Sequence, residues 1–256
     1  MWRVGNAVAA ALLLLLARTA GAADIAGAYR ATWAGLPAGD IRLALSVGDA
    51  AYRAEITIVA TGLPRLLTRF RAEAVGEGSL AADGAAAPAR YDARYDLRKR
   101  RDSRVSLRFL ARDGGRIAER DADDTSRKPP LADEFRRNVV DPLSAFAAIR
   151  RLLQLHGAHP GDRYAVPVFD GARRFDVMVA PAGSGDGLIR LTLSLKPIAG
   201  FKGETSEDGD PDSAPRPVEV AFTDDARLMP VSLRVSIAYL PLTVRLDHVC
   251  ASVAAC

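Results

Sequence analysis

The sequence predicts an all-β, mainly antiparallel fold: one domain shaped as a curved half-barrel or barrel of about a dozen strands, with one helix packed on its concave side. Three observations predict it. Apolar residues alternate with polar or small ones in run after run, the pattern of a sheet with one face buried and one face wet. Turn dipeptides punctuate those runs at hairpin spacing. Only one stretch, Val139–Leu155, has helical rather than two-fold periodicity, whereas parallel strands would need a crossover helix for each connection.

Met1–Ala22 reads as a cleaved export leader rather than as part of the domain. Arg3 supplies the positive start, Val8–Ala17 is an apolar run of about ten residues, too short to span a bilayer, and Ala20-Gly21-Ala22 is a small-x-small cleavage site. The domain is then 23–256, in the periplasm; an uncleaved anchor is the alternative. Losing Arg3 and Arg18 lowers the formal charge of +4 to +2, a weak pull on an anionic partner. Export makes nucleotide-dependent enzymes and nucleic-acid partners improper readings. It leaves an apolar or lipid-like ligand, or another envelope component, with peripheral membrane contact allowed.

Along the domain, the strand-like runs come in order. Tyr29–Trp33 is followed by Ile41/Leu43/Leu45/Val47 and Tyr52/Ala54/Ile56/Ile58, then by Leu66–Val75, Tyr91/Ala93/Tyr95/Leu97 and Val105/Leu107/Phe109. Beyond the helix come Tyr164–Phe169, Phe175/Val177/Val179, Ile189/Leu191/Leu193/Leu195, Val218/Val220/Phe222, Val231/Leu233/Val235/Ile237 and Leu242/Val244/Leu246. Turns are expected at Gly48-Asp49, Ala82-Asp83-Gly84, Asp113-Gly114-Gly115, Asp170-Gly171, Asp186-Gly187 and Asp224-Asp225. Phe201–Pro217 reads as a mobile loop and Asp121–Asp133 as an irregular lead into the helix. A membrane barrel would alternate too, but these runs are short and lack aromatic girdles.

The helix has a physical start and stop. Asp141 is a good N-cap, Pro142 suits the first helical position, and Gly157 with Pro160 ends the run. Leu143, Phe146, Ile149, Leu152 and Leu153 make one apolar stripe, which among strands must be buried against a sheet. About eight strands enclose a space that side chains fill; a dozen leave room for a helix, a ligand or both.

Short motifs then line up along the chain: Gly35-Leu36-Pro37-Ala38-Gly39, Thr61-Gly62-Leu63, Arg69-Phe70-Arg71, Pro129-Pro130-Leu131, Val140-Asp141-Pro142-Leu143-Ser144, Phe169-Asp170-Gly171 with Arg173-Arg174-Phe175-Asp176, and Phe222-Thr223-Asp224-Asp225 with Met229-Pro230-Val231. In this order they resemble the DUF3108 family of exported bacterial proteins. The resemblance implies a β-rich periplasmic protein of unknown function and carries over no catalytic residue.

No catalytic constellation emerges from the residues. There is no Gly-x-Ser-x-Gly elbow, His-Glu-x-x-His pair or phosphate loop. His156 and His159 lack a third ligand, and His248 ends a strand. Asp121, Asp123, Asp124 and Asp208-Gly209-Asp210 lack calcium-loop spacing; no metal or cofactor is expected. The run Leu97–Asp102, with Arg98, Lys99, Arg100 and Arg101, reads as a solvated hairpin tip, with anionic head groups or polysaccharide as the sharper alternative. Cys250 and Cys256 are expected to form a disulfide that pins the tail.

Three readings compete. A binding module would hold an apolar or lipid-like ligand, with Phe146, Ile149 and Leu153 on the helix and Arg173 and Arg174 as candidate contacts; ion pairing is the plainer account of the two arginines. An envelope structural or interaction protein would have a packed interior. A hydrolase of wall material would need two converging carboxylates, and the sequence nominates no pair.

Overall fold

The computed structural model describes residues 25–48, 51–67, 69–97, 100–112, 114–125, 130–201, 217–237 and 239–256. The leader, the tip residues Arg98 and Lys99, the side chains of Leu97, Arg100, Arg101 and Asp102, and most of the Phe201–Pro217 loop, with its Asp208-Gly209-Asp210 turn, lie outside them.

Thirteen strands form one sheet in which every pairing is antiparallel, curled into a nearly closed barrel. In chain order they are β1 (Ile25–Trp33), β2 (Leu36–Val47), β3 (Tyr52–Ala60), β4 (Arg71–Leu80), β5 (Ala86–Leu97), β6 (Arg100–Arg112), β7 (Gly115–Arg120), β8 (Tyr164–Phe169), β9 (Arg174–Gly185), β10 (Leu188–Ala199), β11 (Val218–Thr223), β12 (Pro230–Ile237) and β13 (Leu240–Val249). β1 pairs with β13, so the β7-to-β1 half joins the β13-to-β8 half through the two ends of the domain. Among the described residues three helices accompany the sheet: α1 (Gly62–Leu67), α2 (Asp133–Arg136) and α3 (Pro142–His156). The single helix expected from the sequence is α3. The expected strand Leu66–Val75 is corrected: its first part belongs to α1, and β4 begins only at Arg71.

Antiparallel alternation gives the barrel two ends. One carries the β2–β3, β4–β5, β9–β10 and β11–β12 connections together with α3, and is here the helix end. The other, the mouth, carries β1–β2, β3–β4, β5–β6, β8–β9 and β12–β13. Two apolar clusters fill the interior, one against β1–β7 and one against β8–β12, and Phe146 of α3 packs against both.

The edge strands β7 and β8 do not pair. The chain between α2 and α3 stitches them instead. Arg137 bridges Ile117 in antiparallel fashion, Asn138 turns the chain with φ of 52°, and Val140 then runs parallel to Val168. The Val140 N–H donates to the Pro167 carbonyl at 2.8 Å, and the Phe169 N–H donates to the Val140 carbonyl at 2.8 Å. Asn138 further accepts from the Arg116 N–H at 3.1 Å.

The helix fits because the strands facing it are small. The inward row of β4 is Ala72, Ala74, Gly76 and Gly78, and a Cβ on Gly76 would lie 2.9 Å from an Asp141 carboxylate oxygen and 3.0 Å from the Leu143 Cβ. Ala145, Ala147 and Ala148 keep the helix equally slim. Farther along, Arg150 donates to the Arg227 carbonyl at 2.7 Å, fastening α3 to the β11–β12 connection. Cys250 and Cys256 are joined by a disulfide that folds the tail back, and the Cys250 N–H donates to the Ala26 carbonyl at 2.8 Å.

Candidate functional site

The interior is the candidate site, and its layout follows from register. Near the helix end, the cross-strand inward row Leu45, Ala54, Gly76, Tyr91 and Leu107 is buried throughout. Four residues along the strand toward the mouth, the row Ile41, Ile58, Ala72, Tyr95 and Ser103 is only half-buried. The opposite wall repeats this. Along β10 the inward residues are Ile189 at 5% exposure, Leu191 at 2%, Leu193 half-buried and Leu195 at 42%. Leu193 and its partner Val218, and Leu233, Val244, Val235 and Leu242, are half-buried as well. Side-chain character stays apolar while burial falls away, so the helix end is packed and the mouth leaves an apolar lining within reach of solvent.

The packed zone is polar at one point. Asp141, fully buried, caps α3: its carboxylate accepts from the N–H groups of Leu143 at 3.0 Å and Ser144 at 2.9 Å, and from the Ser144 hydroxyl. The Tyr52 hydroxyl donates to the Ser144 oxygen at 2.5 Å. A donor chain thus runs from β3 through α3 to one carboxylate. Burial pushes the Asp141 carboxyl up to about 6, against the lowering effect of those hydrogen bonds. Burial likewise raises the phenols of Tyr52, Tyr91 and Tyr29, all inward-facing, which keeps them neutral donors. A groove of about 490 Å³, lined by Tyr52, Gly78, Ala87 and Arg116, opens beside this chain at the helix end.

Tyr29 differs from the others. Its hydroxyl is buried and meets no hydrogen-bond partner among the described residues. A buried unsatisfied polar group costs about 1–3 kcal/mol, so Tyr29→Phe is expected to raise stability by about 1 kcal/mol. A denaturant melt showing a loss instead would mean that the hydroxyl is satisfied in solution.

The residues singled out in the sequence fall in different places. Ile149 and Leu153 are buried in the cluster of the β8–β12 half, and Phe146 lies between both clusters. All three belong to the packed zone of the interior. Arg173 is held by Asp170 at 2.8 Å and lies 5.6 Å over the Phe201 ring; Arg174 is held by Asp176 at 2.7 Å. Both pairs form within the β8–β9 turn and along one strand rather than across strands, and they sit at the rim of the mouth, apart from the three helix residues. Among the described residues no group of three or more His, Cys, Asp or Glu side chains is placed to hold a metal. Asp141 is the one buried carboxylate among them. Ser144 and Tyr52, 92 positions apart, carried no sequence signal of their contact. Asp141 did, as a cap.

Comparison with known proteins adds fold and family. The crystal structure of a beta-barrel-like protein of the domain of unknown function DUF1849 from Brucella abortus matches with a TM-score of 0.53 at 10% identity, over 88% of this chain and 97% of that one. At that identity the likeness speaks for the fold alone. No curated protein matches the sequence. The profile of DUF3108, a protein family of unknown function, matches residues 28–247, nearly the whole domain with all thirteen strands in part or in full, and the chain belongs to that family.

Proposed function

We propose that the protein is an exported, periplasmic binding module that takes an apolar or lipid-like envelope ligand into the mouth of its barrel and does no chemistry on it. One observation carries this reading: along β2, β3 and β10 inward side chains stay apolar while their burial falls from the helix end to the mouth. Exposed apolar lining costs about 25 cal/mol per Å² against being covered, and a ligand chain laid along Ile41, Ile58, Leu193 and Leu195 recovers part of it. The packed helix zone then serves as the floor of the site. Export rests on the leader read in Met1–Ala22 and is supported by the Cys250–Cys256 bridge, since disulfides persist in oxidising compartments.

The test is titration of the purified mature domain with a fluorescent fatty acid, alongside mass spectrometry of organic extracts. Saturable binding that falls on the order of tenfold in an Ile41→Asp/Leu193→Asp variant of wild-type stability supports the reading. No binding, with no extracted lipid, shifts the conclusion to an envelope interaction protein, for which the packed half of the interior already speaks.

A further inference from the structure

Three neighbouring connections at the mouth form one continuous feature that the interior does not explain. The β12–β13 turn holds Tyr239 at 84% exposure and Leu240 at 43%; the β1–β2 turn beside it holds Leu36 at 52%. The two turns are tied by the Ala34 N–H donating to the Pro241 carbonyl at 2.8 Å. The β3–β4 connection adjoins them in turn, since Gly62 of α1 lies so close to the Pro37 carbonyl that a Cβ there would meet it at 2.2 Å. Among the large apolar side chains, Tyr239 is the most exposed of the described residues, and it is held out on a backbone with φ of 65°.

Charge in this sector has one sign. The segments 33–39, 60–70 and 236–243 contain no acidic residue, while Arg65 and Arg69 are exposed on the second of them. The outer wall next to it is mixed, with Arg71 paired to Glu73 and Arg53 to Glu55 and Glu77. Residues 202–216, between β10 and β11, lie outside the described residues. An exposed tyrosine with leucines on either side of a turn pair, flanked by exposed arginines, matches an anionic bilayer surface: the ring seats at the head-group level, the leucines enter the acyl boundary, and the guanidinium groups meet lipid phosphates.

We propose that this sector of the rim, Leu36, Tyr239 and Leu240 with Arg65 and Arg69, docks the barrel mouth-down on an anionic lipid bilayer. The proposal rests on the mouth being the ligand portal, and it gives the ligand a source: docking brings the apolar lining of the mouth against the membrane face.

Flotation of the mature domain with phosphatidylglycerol-containing vesicles tests it, with pure phosphatidylcholine vesicles as the comparison. The wild type is expected to float with the anionic vesicles only and to be released by salt. Arg65→Gln/Arg69→Gln is expected to weaken binding about thirty-fold, at roughly fivefold per basic residue, and Tyr239→Ser/Leu240→Ser at least about tenfold. Arg65→Gln/Arg69→Gln leaves the interior lining untouched, so it is expected to bind soluble fluorescent fatty acid like the wild type; Leu240 shares the inward face of β13 with Leu242 and Val244, so the other double variant is read by flotation alone. That titration fails if the ligand reading is wrong, whereas flotation fails if the docking reading is wrong. Equal flotation by wild type and variants, or equal binding to both vesicle types, overturns the docking. So does a concentration-dependent dimer that Tyr239→Ser/Leu240→Ser abolishes, which would assign the rim to a second copy of the chain.

Discussion

Asp141→Ala is expected to cost about 3–4 kcal/mol at pH 5, far more than the ~1 kcal/mol of an ordinary lost N-cap. The difference comes from depth. At an exposed helix start, water takes over the freed N–H groups; here the Leu143 and Ser144 N–H groups and the Ser144 hydroxyl would be left buried without an acceptor, at about 1–3 kcal/mol each before relaxation. The sign of the pH dependence follows from the raised carboxyl. A group whose folded value is about 6 against about 3.8 in the unfolded chain contributes stability that is full below 3.8 and lost as pH rises through 6. From this group the wild type is therefore about 1.4 kcal/mol more stable at pH 5 than at pH 8, one pH unit below 6. Asp141→Asn keeps one acceptor oxygen for the N–H groups and cannot ionise, so it is expected to erase that slope while folding normally. Urea melts of the wild type and both variants between pH 5 and 8 decide; an unchanged slope in Asp141→Asn would place the pH dependence elsewhere.

Phe146→Ala is the other large effect, expected at about 3 kcal/mol. A buried Phe→Ala change costs about 3–5 kcal/mol, and Phe146 is half-buried, which puts it at the lower end. Its position makes the loss more than local. Phe146 packs against the clusters of both halves of the barrel, so the variant is expected to loosen the contact between halves. Earlier hydrogen exchange in β8 than in β3 would show the halves uncoupling. A variant as stable as wild type, but with weakened fatty-acid binding, would instead make α3 part of the ligand wall.

Much of this was legible from residue order alone, and what was not has physical reasons. Strict alternation gave most strands, and Tyr164–Phe169 appears with the bounds read from the sequence. The cap, the proline and the terminating glycine of α3 are local signals and appear as such, with Gly157 at φ of 73°. β7 escaped notice because Gly115–Arg120 is six residues long and places Arg116 and Arg120 on its inward face. α1 escaped because apolar spacing over so short a run does not separate helix from strand. The depth of Asp141 was invisible for another reason: it depends on Gly76 and on Tyr52, distant in sequence and neighbours only once the sheet has curled. The same holds for the mouth. Alternation shows which residues face inward, but how far each is covered is set by where a single helix stops filling the interior.

The seam at Asn138 has a cause in arithmetic. A closed ring built wholly of antiparallel neighbours needs an even number of strands, and this sheet has thirteen. Its first and last members, β7 and β8, run the same way and have no antiparallel register to adopt, so no point substitution can zip them together. The short reversing segment is what an odd count leaves available, and only two of its residues form bridges. Elsewhere around the circumference, continuous ladders fix the spacing of neighbouring strands. At this one place the wall has an expansion joint, where the girth of the barrel can change by parting a few hydrogen bonds while every ladder stays intact.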